Sequence, residues 1–130
     1  MYEEITEKIK ITVKPEFLEE HSDPEEKRFI WAYHIKIENV GSETVQLLSR
    51  SWKITDSLGR VQEVSGAGVV GEKPIITPGN FFEYTSGTPL KTPSGFMMGF
   101  YKMEKKNGYS FNVSIPTFSL DSPHETGVIN

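Results

Sequence analysis

Gly66-Ala67-Gly68-Val69-Val70-Gly71 spells G-x-G-x-x-G. That spacing cradles a pyrophosphate when a strand runs into it and a helix leaves it. The strand is there: Arg60-Val61-Gln62-Glu63-Val64 is β-like. The helix is not. Pro74 and Pro78 follow closely, and proline removes amide donors and clashes with a helical turn. Without helix N-terminal amides and their dipole, the main attraction for a phosphate is lost. Three readings stay open. Gly66, Gly68 and Gly71 shape the loop for structural reasons, which is the reading the residues favour. Alternatively they let a protein partner's backbone approach. Or a nest of backbone amides holds phosphate or pyrophosphate weakly, with Arg50 or Lys73 as the counter-charge.

Arg50 and Trp52 are the other residues with chemical potential. An arginine beside a large aromatic can stack on a ring or pair with a carboxylate, here Asp56 or Glu83. With Glu83 and Tyr84 they form a candidate partner contact. The plainer reading sends Trp52 into the core and makes Arg50 a backbone anchor. The acidic stretch Glu16, Glu19, Glu20, Asp23, Glu25 and Glu26 lacks the spacing of a calcium loop and reads as a solvated face. His21, His34 and His124 form no ligand pair, so no metal site is expected. No serine stands in a G-x-S-x-G elbow. No catalytic residue and no cofactor are assigned, and the residues by themselves define no activity.

The elements that must hold these residues are strands. Ile9, Ile11 and Val13 alternate with lysine and threonine. Phe29, Trp31, Tyr33, Ile35 and Ile37 make the clearest stripe in the chain, with the period of two that a half-buried strand requires. Val45 and Leu47 share one parity, whereas Leu48, Trp52 and Ile54 take the other. This predicts a β-bulge or break near Ser49-Arg50-Ser51. Further strands are expected at Val61–Val64, at Phe81–Thr85 and at Phe96–Met103, the last apolar on both faces as in a central strand. A strand at Tyr109–Ile115 follows the Asn107-Gly108 turn. Ser22-Asp23-Pro24-Glu25-Glu26 reads as a charged hairpin tip. The total is about seven strands and no convincing helix, which predicts an all-β, antiparallel two-sheet sandwich of the immunoglobulin or fibronectin type III kind, with a closed barrel as the competing candidate. Trp31 and Trp52 are expected in its core. Residues 1–6 read as a short lead and 119–130 as a partly flexible tail.

Composition narrows the function classes. A chain of 130 residues reads as one domain. It has no cysteine, which excludes disulfides and thiolate metal sites, and its net charge is -4. A basic footprint for nucleic acid is missing. No secretory signal or spanning segment is evident, so a cytoplasmic protein with no direct membrane insertion is expected.

From Leu47 to Met103 the chain resembles the ApaG family. Ser49-Arg50-Ser51-Trp52-Lys53-Ile54-Thr55-Asp56 is similar to the family's S-R-x-W-x-I-T-D segment. Val64 and Gly66 to Glu72 follow its V-x-G-x-G-V-V-G-E loop, and Pro78-Gly79 with Phe82 to Gly87 follow P-G-x-x-F-E-Y-T-S-G. Leu18-Glu19-Glu20, Ser22-Asp23-Pro24 and Ile115-Pro116 with Phe118 extend the likeness over nearly the whole chain. Ser51 departs from it where many relatives carry histidine, and residues 125–130 lie outside it. The resemblance implies a fibronectin type III-like sandwich with no established enzymatic activity. It implies an association with cobalt and magnesium efflux and resistance in bacteria, indirect here because no transport helix or metal cage is present. The genes of such proteins often lie beside a diadenosine tetraphosphate hydrolase. In eukaryotic F-box proteins and a polymerase-delta-interacting protein, a similar domain looks like a protein-interaction module. A non-enzymatic module that binds a protein partner is therefore the leading expectation, and a weak phosphate or pyrophosphate sensor the alternative.

Overall fold

Nine strands carry the chain in a computed structural model that describes residues 1–124. They are β1 (Tyr2–Thr6), β2 (Ile9–Phe17), β3 (Phe29–Asn39), β4 (Val45–Asp56), β5 (Val61–Ala67), β6 (Ile75–Ile76), β7 (Phe81–Leu90), β8 (Gly95–Lys105) and β9 (Ser110–Leu120). One sheet has the order β1-β2-β3-β7, and the other has β5-β4-β8-β9, with β6 also pairing β4. Every pairing is antiparallel. The two sheets stack into a sandwich, as the alternation predicts.

Period-two stripes decide what faces inward. Phe29, Trp31, Tyr33, Ile35 and Ile37 of β3 are all buried, and they face Trp52, Met97, Tyr101, Val113 and Phe118 of the second sheet within one core. Trp31 and Trp52 are 1% and 5% exposed, as expected. Trp31 Nε1 donates to the Asp121 carbonyl at 2.8 Å, which satisfies its one polar atom. Trp52 packs edge-on against Tyr33 and Phe118, with ring centroids at 5.3 and 6.0 Å.

The parity switch in β4 is a bulge. Leu47 pairs Met103 and Ser49 pairs Lys102, leaving Leu48 as the extra residue, one position before the predicted stretch. The bulge turns Arg50, Trp52 and Ile54 to the side that Val45 and Leu47 occupy, as an inserted residue must.

Two strands were not legible. Tyr2–Thr6 is an edge strand paired with β2, where the sequence suggested only a lead. Its pattern is mostly solvent-exposed, so backbone pairing and the Tyr2 ring hold it. β6 is two residues long, too short for any period. Glu19–His21 and Pro24–Glu26 form single 3-10 turns, so the charged tip is partly helical. Ser119 and Leu120 belong to β9, and the tail expectation for residues 125–130 lies outside the described residues. The strand β8 is central, but its outer face is not covered: Phe96, Met98 and Phe100 are 39%, 36% and 40% exposed. Among the described residues no helix is long and apolar enough to cross a membrane.

The sandwich has unequal sides. On one, β1 leans across to β9: Ser119 N donates to Tyr2 Oη and Ser114 N to Thr6 Oγ1, each at 3.3 Å, and Tyr2 meets Phe118 with centroids 6.1 Å apart. On the other side the edge strands are β7 and β5, with no further strand between them among the described residues.

The β4–β5 turn is fixed by Asp56. Its Oδ1 accepts from the amides of Leu58 and Arg60, both at 2.9 Å, and its Oδ2 from Arg60 Nε at 2.7 Å. Partial desolvation pushes the carboxyl up, but the Arg60 and Leu58 amides and the Arg60 guanidinium outweigh it and hold the pKa below its ordinary value of 3.8. A carboxylate with a lowered folded-state pKa stabilises fully above its unfolded pKa and stops doing so as pH falls through the folded one. Asp56→Ala is therefore expected to lower the melting temperature by roughly 3–6 °C at pH 7, the worth of one or two net hydrogen bonds. The gap between variant and wild type should narrow as the pH falls below 3.8, measured by thermal scans at stepped pH.

Candidate functional site

The glycine loop closes around Arg50. Arg50 pairs Gly66 on β5 and Tyr101 on β8, and the bulge has turned its side chain inward. Its Nη1 donates to the carbonyls of Ala67 and Gly68, at 3.0 and 2.9 Å. A Cβ on Gly66 would lie 3.1 Å from both terminal guanidinium nitrogens, so Gly66 is where the guanidinium lies flat against the strand. Gly68 has φ +62, and a Cβ there would come within 2.2 Å of the Glu72 carbonyl oxygen. Its amide donates to the Leu48 carbonyl at 2.8 Å, which ties the loop to the bulge. Val69 and Glu72 exchange both backbone hydrogen bonds at 2.8 Å. Between them Val70 and Gly71 have φ of 43° and 79°, the pattern of a type I′ turn. Each glycine of the motif thus has a separate backbone duty.

This geometry redefines the predicted residues. The amides of Gly68, Val69 and Glu72 are spent inside the chain, and the loop turns carbonyls toward Arg50. A nest for an anion needs the reverse. Lys73 is exposed and outside the lining of the cleft that Arg50 enters. Arg50 pairs with neither suggested carboxylate. Asp56 is held by Arg60, and Glu83 stands opposite Lys36 on the outer face of the first sheet. Of the four residues offered as a partner contact, Arg50, Trp52 and Tyr84 meet at one cleft and Glu83 does not.

That cleft holds about 290 Å³, between β7 and the loop after β5. Tyr33, Tyr84 and Ser86 line one wall; Arg50, Val69 and Val70 line the other. Tyr84 and Tyr101 share a hydrogen bond at 2.5 Å. Burial pushes the hydroxyl pKa of Tyr33, Tyr84 and Tyr101 up, and the Arg50 charge opposes this in each. Ser86 assists Arg50 at Tyr33. Tyr33, Ser86 and Tyr101 were not singled out from the sequence. Their only signal was a hydroxyl at a core-facing position of a strand.

Among the described residues, only Nη1 of the Arg50 guanidinium is hydrogen-bonded. The cleft therefore offers spare N–H donors and neutral hydroxyls. It contains no carboxylate or imidazole able to take a proton from Ser86. The groups it offers are therefore hydrogen-bond donors, hydroxyls and one positive charge. The predicted histidines lie elsewhere. His34 contacts Glu16 at 3.1 Å and His124 contacts Glu19 at 2.9 Å, while His21 is exposed.

The fold is a fibronectin type III-like sandwich with an arginine- and tyrosine-lined cleft at one lateral edge. The ApaG domain pattern matches residues 19–105. The chain is 63% identical over 124 residues to Protein ApaG of Rhodospirillum centenum, covering 95% of each chain. It is 57% identical to Protein ApaG of Paramagnetospirillum magneticum over the full length of both. A crystal structure of the Bordetella pertussis protein described as ApaA superimposes with a TM-score of 0.87 at 46% identity, covering 90% of this chain and 95% of that one. The chain belongs to the ApaG family.

Proposed function

We propose that the chain is a non-enzymatic binding module that engages a protein partner in the cytoplasm, and that its link to cobalt and magnesium efflux or resistance runs through that partner. The observation that supports the reading is the open lateral edge. Two free strand edges flank a cleft whose one cation keeps unspent donors, and no proton-transfer pair accompanies it. Free edges and a central arginine are what protein recognition uses. In-cell crosslinking followed by purification tests it. A specific partner is expected above the background of a variant with scrambled surface residues, and recovery of none would remove the reading. Growth of a deletion strain in graded cobalt tests the metal link separately: an altered tolerance is expected, and an unchanged one would cut the link while leaving the binding role.

A second reading rests on the same guanidinium. Arg50 faces the cleft beside the Tyr33 and Ser86 walls, so phosphate or pyrophosphate could be held by one cation and hydroxyls, at an affinity near ~1 mM or about -4 kcal/mol. NMR titration with pyrophosphate should then shift residues 64–73 together with Tyr33 and Ser86. Silence there at millimolar ligand would dispose of it.

A further inference from the structure

The open side carries a second and larger hollow, of about 710 Å³, between the end of β7 and the start of β5. Ile54 and Leu90 are buried at its base. Four cations (Lys27, Arg28, Arg60 and Lys91) line it against the two carboxylates Glu26 and Asp56, and Asp56 is already committed to Arg60. In a chain whose net charge is -4, this side is locally basic, and Arg50 extends the same sign into the smaller cleft. The two hollows follow one pair of strands. Tyr84 and Ser86 of β7 line the first, and Pro89 and Leu90 the second.

The edge of β7 is the backbone that runs past both. Among the described residues it pairs β3 on one side and no strand on the other. From Phe81 to Thr88 it carries no proline and no lysine, the residues that usually blunt a free edge; Pro89 interrupts it only one residue before its end. At the opposite side of the sandwich, β1 and β9 cover each other. The strands left bare, β7 and β5, are therefore those beside the basic hollows.

We propose that this side receives an extended acidic segment of a protein partner, which adds to β7 as a further strand. The inference rests on the protein-binding reading and specifies its surface and chemistry. Main-chain hydrogen bonds to β7 ahead of Pro89 hold the segment. Alternate side chains point into the groove, where carboxylates meet Arg50 at one end and Arg28 and Lys91 at the other. Apolar residues between them cover Leu90 and Ile54. From Tyr84 to Leu90 the strand runs ~20 Å, so a segment of about eight residues reaches both hollows.

Selection of random twelve-residue peptides displayed on phage against the whole chain tests this directly. Acidic sequences with alternating apolar residues are expected to be enriched. The best of them, made synthetically, should shift the backbone amides of residues 82–88 in NMR spectra and bind more weakly as salt is raised. Arg28→Glu with Lys91→Glu, both exposed positions, should weaken it about tenfold or more without changing the melting temperature. Lys102→Glu, on the outer face of β8, should leave the affinity alone. Enrichment without acidic bias, shifts confined to another face, or an affinity indifferent to the Arg28 and Lys91 reversals would each overturn the proposal. Photo-crosslinkers placed at Gln62 and at Met98 separate its failure from that of the broader reading. A partner captured only from Met98 retains protein binding and removes the groove, whereas none captured from either position removes both.

Discussion

Gly68→Ala is expected to destabilise the protein by about 2–4 kcal/mol, a drop of roughly 5–12 °C in melting temperature. Two costs combine. The residue has φ +62, and the added methyl would sit 2.2 Å from the Glu72 carbonyl oxygen. That oxygen belongs to backbone locked in the Val69–Glu72 turn, so it cannot swing aside as a side-chain end would. Relief requires the loop to open, and opening it releases the Gly68 amide from Leu48 and the Gly68 carbonyl from Arg50. Gly71→Asn supplies the control. Gly71 also has a positive φ of 79°, but a Cβ there meets nothing within 4 Å, and asparagine tolerates that conformation. Its cost should stay below about 1 kcal/mol. Equal melting temperatures for the two variants would show that the close approach at Gly68 carries no weight.

Tyr84→Phe is the second large effect, expected at about 1–3 kcal/mol. Tyr101 is 0% exposed and its hydroxyl shares a hydrogen bond with Tyr84. Removing the Tyr84 hydroxyl leaves that group buried without this partner, which costs its desolvation in full. Tyr101→Phe should cost less, because Tyr84 lines the open cleft and its hydroxyl can turn to water. Replacing both tyrosines removes both polar groups. The double variant should therefore fall well short of the sum of the singles, with a coupling of at least about 1 kcal/mol. Urea titrations of the four proteins measure this. Additive losses would mean that the two hydroxyls are independent.

Much of this architecture was legible because strand chemistry repeats every two residues. The Phe29–Ile37 stripe, the Asn107-Gly108 turn and the parity switch before Trp52 each carry their structural meaning locally. The bulge was displaced by one residue because Leu48, the extra residue, is apolar and fits either parity. β1 escaped because Glu3 and Glu4 mask any alternation, its place being set by pairing with β2. The exposed row Phe96, Met98 and Phe100 looked buried because composition cannot say which face of a central strand lacks a cover. At the site, Arg50 drew attention through its neighbour Trp52. Apart from Tyr84, its surroundings did not, because Tyr33, Ser86 and Tyr101 arrive from three separate strands. The G-x-G-x-x-G spacing matched a nucleotide signature while encoding a flat guanidinium contact, a positive φ under a carbonyl and the second position of a type I′ turn.

The clasp between β1 and β9 has a consequence for how the molecule is made. Tyr2 and Thr6 take their cross-sheet partners from Ser119 and Ser114, so the first strand waits for the ninth. During synthesis, β1 and β2 emerge more than a hundred residues ahead of the strand that shields them. Closure of so distant a contact is slow, and until then Ile9, Ile11 and Val13 lack the cover that β9 supplies. Until β9 docks, β2 is an apolar ribbon with one side bare, so the first sheet gains its full stability only through a contact among the most distant in the sequence.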